Sequence, residues 1–108
     1  MDTPEDILKR DYSEEFDTLR KNRMITSHYK YGWVSENYPT GLADAMASLQ
    51  KRLALYEQTG NREWLVDVAN FAMIEFMFPM HPKAHYRATP SAESPGLEGT
   101  SSQELMNS

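Results

Sequence analysis

The chain has 108 residues, a formal net charge of −5 and no cysteine. That length is one domain with a modest core, since a chain of this size withdraws only roughly 60–65% of its unfolded surface from water. The acidic balance disfavours direct nucleic-acid binding, which rests on Lys and Arg neutralising phosphates. The missing cysteines exclude a disulfide scaffold, a thiolate metal site and a thiol nucleophile.

The start, Met1-Asp2-Thr3-Pro4-Glu5-Asp6, is acidic and lacks the apolar run of a signal peptide. No stretch is apolar enough to span a membrane. The expectation is a soluble, cytoplasmic protein.

The first predicted helix runs from about Pro4 to Lys30. Thr3 suits the N-cap, Pro4 the first helical position, and Asp6 completes a capping box. Ile7, Leu8, Tyr12, Phe16, Leu19 and Arg23 form its apolar stripe, with Lys9, Arg10, Glu14, Asp17 and Lys21 opposite. Ser13 can start a fresh turn, so a break near Asp11–Ser13 is allowed, and Gly32 ends the segment. Trp33 to Thr40 reads as an aromatic loop. Thr40 is then expected to cap a second helix, Gly41 to Gln58, with Leu42, Ala45, Met46, Leu49, Leu53 and Tyr56 on its stripe. The short connection Thr59-Gly60-Asn61 allows only an antiparallel turn. The third helix, Arg62 to about Phe78, stops before Pro79.

This third helix is apolar on nearly every side and is expected to be buried nearly all round. It nevertheless carries Glu63, Asp67 and Asn70, which at about 100° per residue fall on one face. A buried charge is costly unless it is paired, hydrogen-bonded or bound to a metal. Two readings follow. Glu63 and Asp67 hold Mg²⁺, with Asn70 as a ligand contact; or Asp67 pairs with Arg52 or Arg23, and Asn70 satisfies a neighbouring helix.

Beyond Pro82 the composition turns to Pro, Gly and Ser. Residues 1–82 are read as a helical domain and 83–108 as a tail with too little apolar surface to order itself. The expected fold is all-α: a three-helix antiparallel bundle with a disordered C-terminal tail, assembling as a homo-oligomer because its own core is small.

A second constellation closes the first helix. Arg23, Ser27 and Lys30 share a face, and Tyr31 and Trp33 follow. Arg forks and a Lys point charge hold phosphates, while an aromatic ring stacks on a base. The same cations also complement a helix C-terminus, with the aromatics covering the core. Arg52, beside Leu49 and Leu53, is expected to point partly inward, toward Asp67 or a ligand. His81 and His85 have metal-ligand spacing on a helix, but Pro82 lies between them. Met73, Met77 and Met80 read as adaptable packing. No Gly-rich phosphate loop or metalloprotease motif is present.

The runs Lys30-Tyr31-Gly32-Trp33, Leu42-Ala43-Asp44-Ala45, Leu49-Gln50-Lys51-Arg52-Leu53 and Asp67-Val68-Ala69-Asn70-Phe71 resemble, over about residues 20 to 78, the MazG-like, all-α nucleoside triphosphate pyrophosphohydrolases. Small, often phage-encoded dATP/dGTP diphosphohydrolase-like proteins belong to that group. The resemblance implies a dimer or tetramer and Mg²⁺-dependent cleavage of a (d)NTP to the monophosphate and pyrophosphate. It makes Asp67 a metal ligand, Asn70 a site amide and Lys30 a phosphate contact, in the host cytoplasm if phage-encoded. The family pairs two carboxylates on its second helix with Glu-x-x-Asp on the third. Here the second helix offers Asp44 with no second carboxylate three residues away, and Trp64 stands three before Asp67, with the acid at Glu63. The alternative is therefore a non-catalytic module that binds or sequesters a nucleotide, as a phage anti-defence protein would, or an oligomeric interaction protein.

Overall fold

In the computed structural model, which describes residues 1–99, the chain forms helices and no strand among those residues. In chain order they are α1 (Pro4–Asp11), α2 (Glu14–Tyr31), α3 (Val34–Asn37), α4 (Ala45–Thr59) and α5 (Glu63–Met77). No helix among the described residues is long and apolar enough to cross a membrane.

Local chemistry explains most of the boundaries. The Thr3 hydroxyl accepts from Asp6 N at 3.2 Å and the Asp6 carboxylate from Thr3 N at 3.1 Å, the reciprocal capping box of α1. The chain then breaks at Tyr12, which is extended. Ser13 starts α2 by accepting from Phe16 N at 3.0 Å. Gly32 ends α2 at a positive φ of 85°, open to glycine at no steric cost, and its N–H reaches back to the His28 carbonyl at 2.8 Å.

The segment expected to be a loop contains one helical turn, α3. Asn37 Nδ2 ties it to the Tyr31 carbonyl at 2.8 Å. Thr40 does not cap the next helix. Its hydroxyl donates backward to the Glu36 and Asn37 carbonyls, and Gly41 turns the chain with φ 79°. Asp44 is the cap, accepting from Ala47 N at 3.0 Å. A carboxylate at that position also meets the positive end of the helix dipole.

The inner face of α4 differs from the expected stripe. Ala45 is buried, and Ser48, Leu49, Arg52, Leu55 and Tyr56 are half-buried, whereas Leu42, Met46 and Leu53 are exposed. The helix is turned so that Arg52 joins the inward row, in the same three-to-four spacing.

Between α4 and α5 the chain turns at Gly60, which takes the left-handed conformation and donates to the Tyr56 carbonyl at 2.8 Å. Asn61 Oδ1 then accepts from Glu63 N at 3.1 Å and opens α5.

α5 packs extensively on α4 and more lightly on α2. Its buried residues are Val66, Asp67, Asn70 and Ile74, one stripe that is half polar. The expectation that α5 is buried all round is corrected here, because Ala72, Phe76 and Met77 are exposed. Two helix neighbours cannot cover a full circumference within one chain. The buried apolar residues among those described are only Ala45, Val66 and Ile74. α1 and α2 bury no residue, and Ile7, Leu8, Tyr12 and Leu19 of their expected apolar stripe are exposed.

After α5, Met80 N donates to the Glu75 carboxylate at 2.9 Å. Residues 78–99 contain turns and bends but no helix or strand. The Tyr86 ring lies edge-on to Phe76, with centroids 6.3 Å apart. Arg87 pairs with Glu93 at 2.8 Å. His81 and His85 each engage the backbone of Lys83. The remainder of the expected tail, 100–108, lies outside the described residues.

Candidate functional site

α2 presents Arg23 to α5, and α5 answers with two carboxylates one helical turn apart. Arg23 Nε lies 3.2 Å from Asp67 Oδ1, and Nη2 3.2 Å from Asp67 Oδ2. The remaining nitrogen, Nη1, lies 3.1 Å from Glu63 Oε1. Each guanidinium nitrogen thus meets a carboxylate, and the pair with Asp67 has the bidentate fork geometry that suits it. The hydrogen bonds with Asp67, reinforced by the charges of Asp67 and Glu63, outweigh the burial that opposes them and push the Arg23 pKa up.

A second cation approaches Asp67 Oδ2, the oxygen that Arg23 Nη2 also holds. Arg52 Nε stands 3.9 Å from Asp67 Oδ2, an ion pair too long for a hydrogen bond. The Arg52 guanidinium lies over the Phe71 ring, 4.9 Å from its centroid. One turn beyond Asp67, the Asn70 Nδ2 donates to the Arg20 main-chain carbonyl at 3.0 Å. Two polar atoms in this cluster are buried without a hydrogen-bond partner: Arg52 Nε and Asn70 Oδ1.

These residues form the inner wall of a cleft of about 990 Å³. Its outer wall comes from the end of α2 and from α3. Tyr31 and Trp33 are well exposed there. The Lys30 ammonium sits 5.1 Å from the Tyr31 ring centroid, and Trp33 meets His28 edge-on at 4.3 Å. Ser27 lines the cleft and is exposed. Tyr38 completes the wall, and burial raises its phenol pKa. Arg23, Lys30 and Arg52 face only one lining carboxylate, Asp67. In a chain of net charge −5 this is a locally cationic, aromatic-walled hollow.

The fold therefore brings Arg23, Ser27, Lys30, Tyr31, Trp33, Arg52, Asp67 and Asn70 to one cleft. Glu63 is set apart. It lines a neighbouring cleft of about 840 Å³ beside Gly60–Arg62 and the first half of α2. Arg23 borders both clefts and joins Glu63 to Asp67.

The donor set does not fit the expected Mg²⁺. No group of three His, Asp or Glu side chains among the described residues converges as metal ligands would. The two carboxylates that could begin such a set are bridged by Arg23. Mg²⁺ can be held by one or two carboxylates together with ligand phosphates, but here a guanidinium stands between them.

The sequence reading missed Arg20, whose carbonyl takes the Asn70 amide, and Tyr38, Phe71 and His28 on the cleft walls. For Arg20 the available signal was Asp17 three residues earlier, its ion-pair partner at 2.8 Å. A main-chain acceptor leaves no mark in residue type.

No protein family, curated protein or solved structure matches the chain. The functional reading rests on the site itself.

Proposed function

We propose that the chain binds a phosphorylated small molecule bearing an aromatic ring, a nucleotide, in this cleft and releases it unchanged. The observation that carries this reading is the convergence of Arg23, Lys30 and Arg52 with the exposed rings of Tyr31 and Trp33 on one cleft. Lys30 supplies a cation for phosphate, and Tyr31 or Trp33 a face for a base. Calorimetry with individual (d)NTPs in EDTA, followed by chromatography, tests it. The expected result is binding that survives EDTA, weakens on Arg52→Met, and returns intact ligand.

A second reading is hydrolysis of a nucleoside triphosphate to monophosphate and pyrophosphate. What favours it is Asp67, a carboxylate on the cleft wall, together with the pyrophosphohydrolase-like sequence runs. It requires Arg23 to release Asp67 and Glu63 to a metal. Monophosphate and pyrophosphate appearing with Mg²⁺, and vanishing in Asp67→Asn, would establish it over simple binding.

We further propose that α2, α4 and α5 act as a three-helix antiparallel unit and that this unit assembles as a dimer or tetramer. The support is the apolar surface left bare: Phe76 is 73% exposed, Met77 53% and Met80 52%, beside a very small core. Sedimentation velocity should show more than a monomer, and Phe76→Glu with Met77→Glu should shift it toward monomer.

A further inference from the structure

We infer that Arg23 is a resident cation occupying the place of a divalent metal between Asp67 and Glu63, which makes ligand binding in the cleft independent of metal. Glu63 and Asp67 stand four residues apart on α5, the spacing at which two carboxylates on one helix face can share a cation. The cation present is a guanidinium, and each of its nitrogens is used: Nε and Nη2 on Asp67 at 3.2 Å, Nη1 on Glu63 at 3.1 Å.

Burial makes this cation necessary. The Asp67 side chain is 11% exposed, and a carboxylate that far from water must be paired or bound to a cation. Arg23 answers that need with a charge that is not lost at any working pH. Arg52 adds a second positive group, 3.9 Å from Asp67 Oδ2. A divalent ion approaching Asp67 would have to displace one guanidinium while facing the repulsion of the other. It would also find no third carboxylate or imidazole among the described residues to complete its shell.

Arg23 has a second consequence. α2 buries no residue. Its attachment to α5 includes the Arg23 bridge, the Asn70–Arg20 hydrogen bond and the Arg20 contact to Met73 Sδ at 3.3 Å. The group that neutralises the acids therefore also docks the helix carrying Ser27 and Lys30. The cleft is assembled by an internal cation where a metalloenzyme would use an external one.

The test is Mn²⁺ binding, followed by electron paramagnetic resonance without nucleotide, on the full chain. The wild type should leave Mn²⁺ free at millimolar concentration, with its melting temperature unchanged. Arg23→Met should bind Mn²⁺ at least about tenfold more tightly, and Arg23→Met/Asp67→Asn should lose that gain. Mn²⁺ bound by the wild type and released by Asp67→Asn would overturn the inference, as would a folded Arg23→Met that gains no affinity. Should Arg23→Met fail to fold, the wild-type titration and Arg23→Lys decide. Lys keeps the charge without the fork, so it should fold and still exclude Mn²⁺, and Mn²⁺ binding by it or by the wild type overturns the inference. The consequence for ligand rests on the nucleotide-cleft reading, but the Mn²⁺ titration does not. Absence of any nucleotide binding would remove that reading and leave the Arg23 result standing.

Discussion

Asn70 Nδ2 donates to the main-chain carbonyl of Arg20 at 3.0 Å, across 50 positions of sequence. The acceptor lies within α2, and the donor is buried in the middle of α5. With the Arg23 bridge and the Arg20–Met73 contact, this bond holds α2 against α5 where Arg23 stands opposite Asp67. It also fixes which way the amide faces, since the carbonyl can only accept. Asn70 Oδ1 is thereby left buried without a hydrogen-bond partner.

Asn70→Leu should lower stability by about 1 kcal/mol, or about 4–8 °C in melting temperature, by deleting that bond. Asn70→Asp should cost more, because it sets a carboxylate against the Arg20 carbonyl. Differential scanning calorimetry on both variants reads the difference. Equal losses would mean that the amide donor contributes nothing specific.

Removing one partner of the Arg23–Asp67 pair should be worse than removing both. A fully buried pair broken on one side costs about 3–5 kcal/mol. Arg23 is 42% exposed, so solvent reduces the expected loss for Arg23→Met to about 1–3 kcal/mol. The double variant Arg23→Met/Asp67→Asn should recover part of it. Urea denaturation in a double-mutant cycle measures the coupling, expected above about 0.5 kcal/mol.

The α4 cap separates two neighbouring polar residues. Asp44→Ala should cost about 1 kcal/mol through loss of the bond to Ala47 N. Thr40→Ala should cost less, because the Thr40 hydroxyl only closes the end of α3. Thermal melts that reverse this order would return the helix start to Thr40.

Acid should loosen the first two helices before neutral pH shows any change. The backbone and hydroxyl of Thr3 hold the Asp6 pKa below its usual 3.8, and Tyr12 and Arg20 do the same for Asp17. A depressed carboxylate contributes stability that is complete above the unfolded value and lost as pH falls through the folded one. Far-UV circular dichroism should therefore be flat down to about pH 4 and decline only below it. In Asp6→Asn/Asp17→Asn that part of the decline should be reduced.

Truncation after Arg87 should leave the melting temperature within about 2 °C, since surface changes usually cost under about 0.5 kcal/mol. The cut removes the Arg87–Glu93 pair, whose side chains are 60% and 51% exposed, and leaves the Tyr86–Phe76 contact in place. A larger drop in a fluorescence-monitored melt would show that the segment beyond Arg87 docks on the helices or on a second chain.

The helices themselves were legible from sequence because their signals are local. Thr3, Ser13, Gly32 and Gly60 act on atoms within a few residues, and the structure uses each of them where the pattern put it. Thr40 misled because it and Asp44 are both good caps. The choice between them fell to the turn at Gly41, whose direction depends on where α3 and α4 must lie.

Residue type and helical period were also enough to mark Glu63, Asp67 and Asn70 as one polar face, and Arg23 and Arg52 as candidate partners for Asp67. They could not decide between metal and guanidinium. An oxygen cluster looks the same in sequence whichever cation it meets, and the Arg23 bridge depends on α2 lying where Arg23 spans both acids. Nor could period alone show that α5 leaves Phe76 and Met77 bare. Hydrophobicity states that a surface gains by leaving water, while the number of helices available to cover it is settled only when the chain has folded, and here α2 and α4 do not close around it.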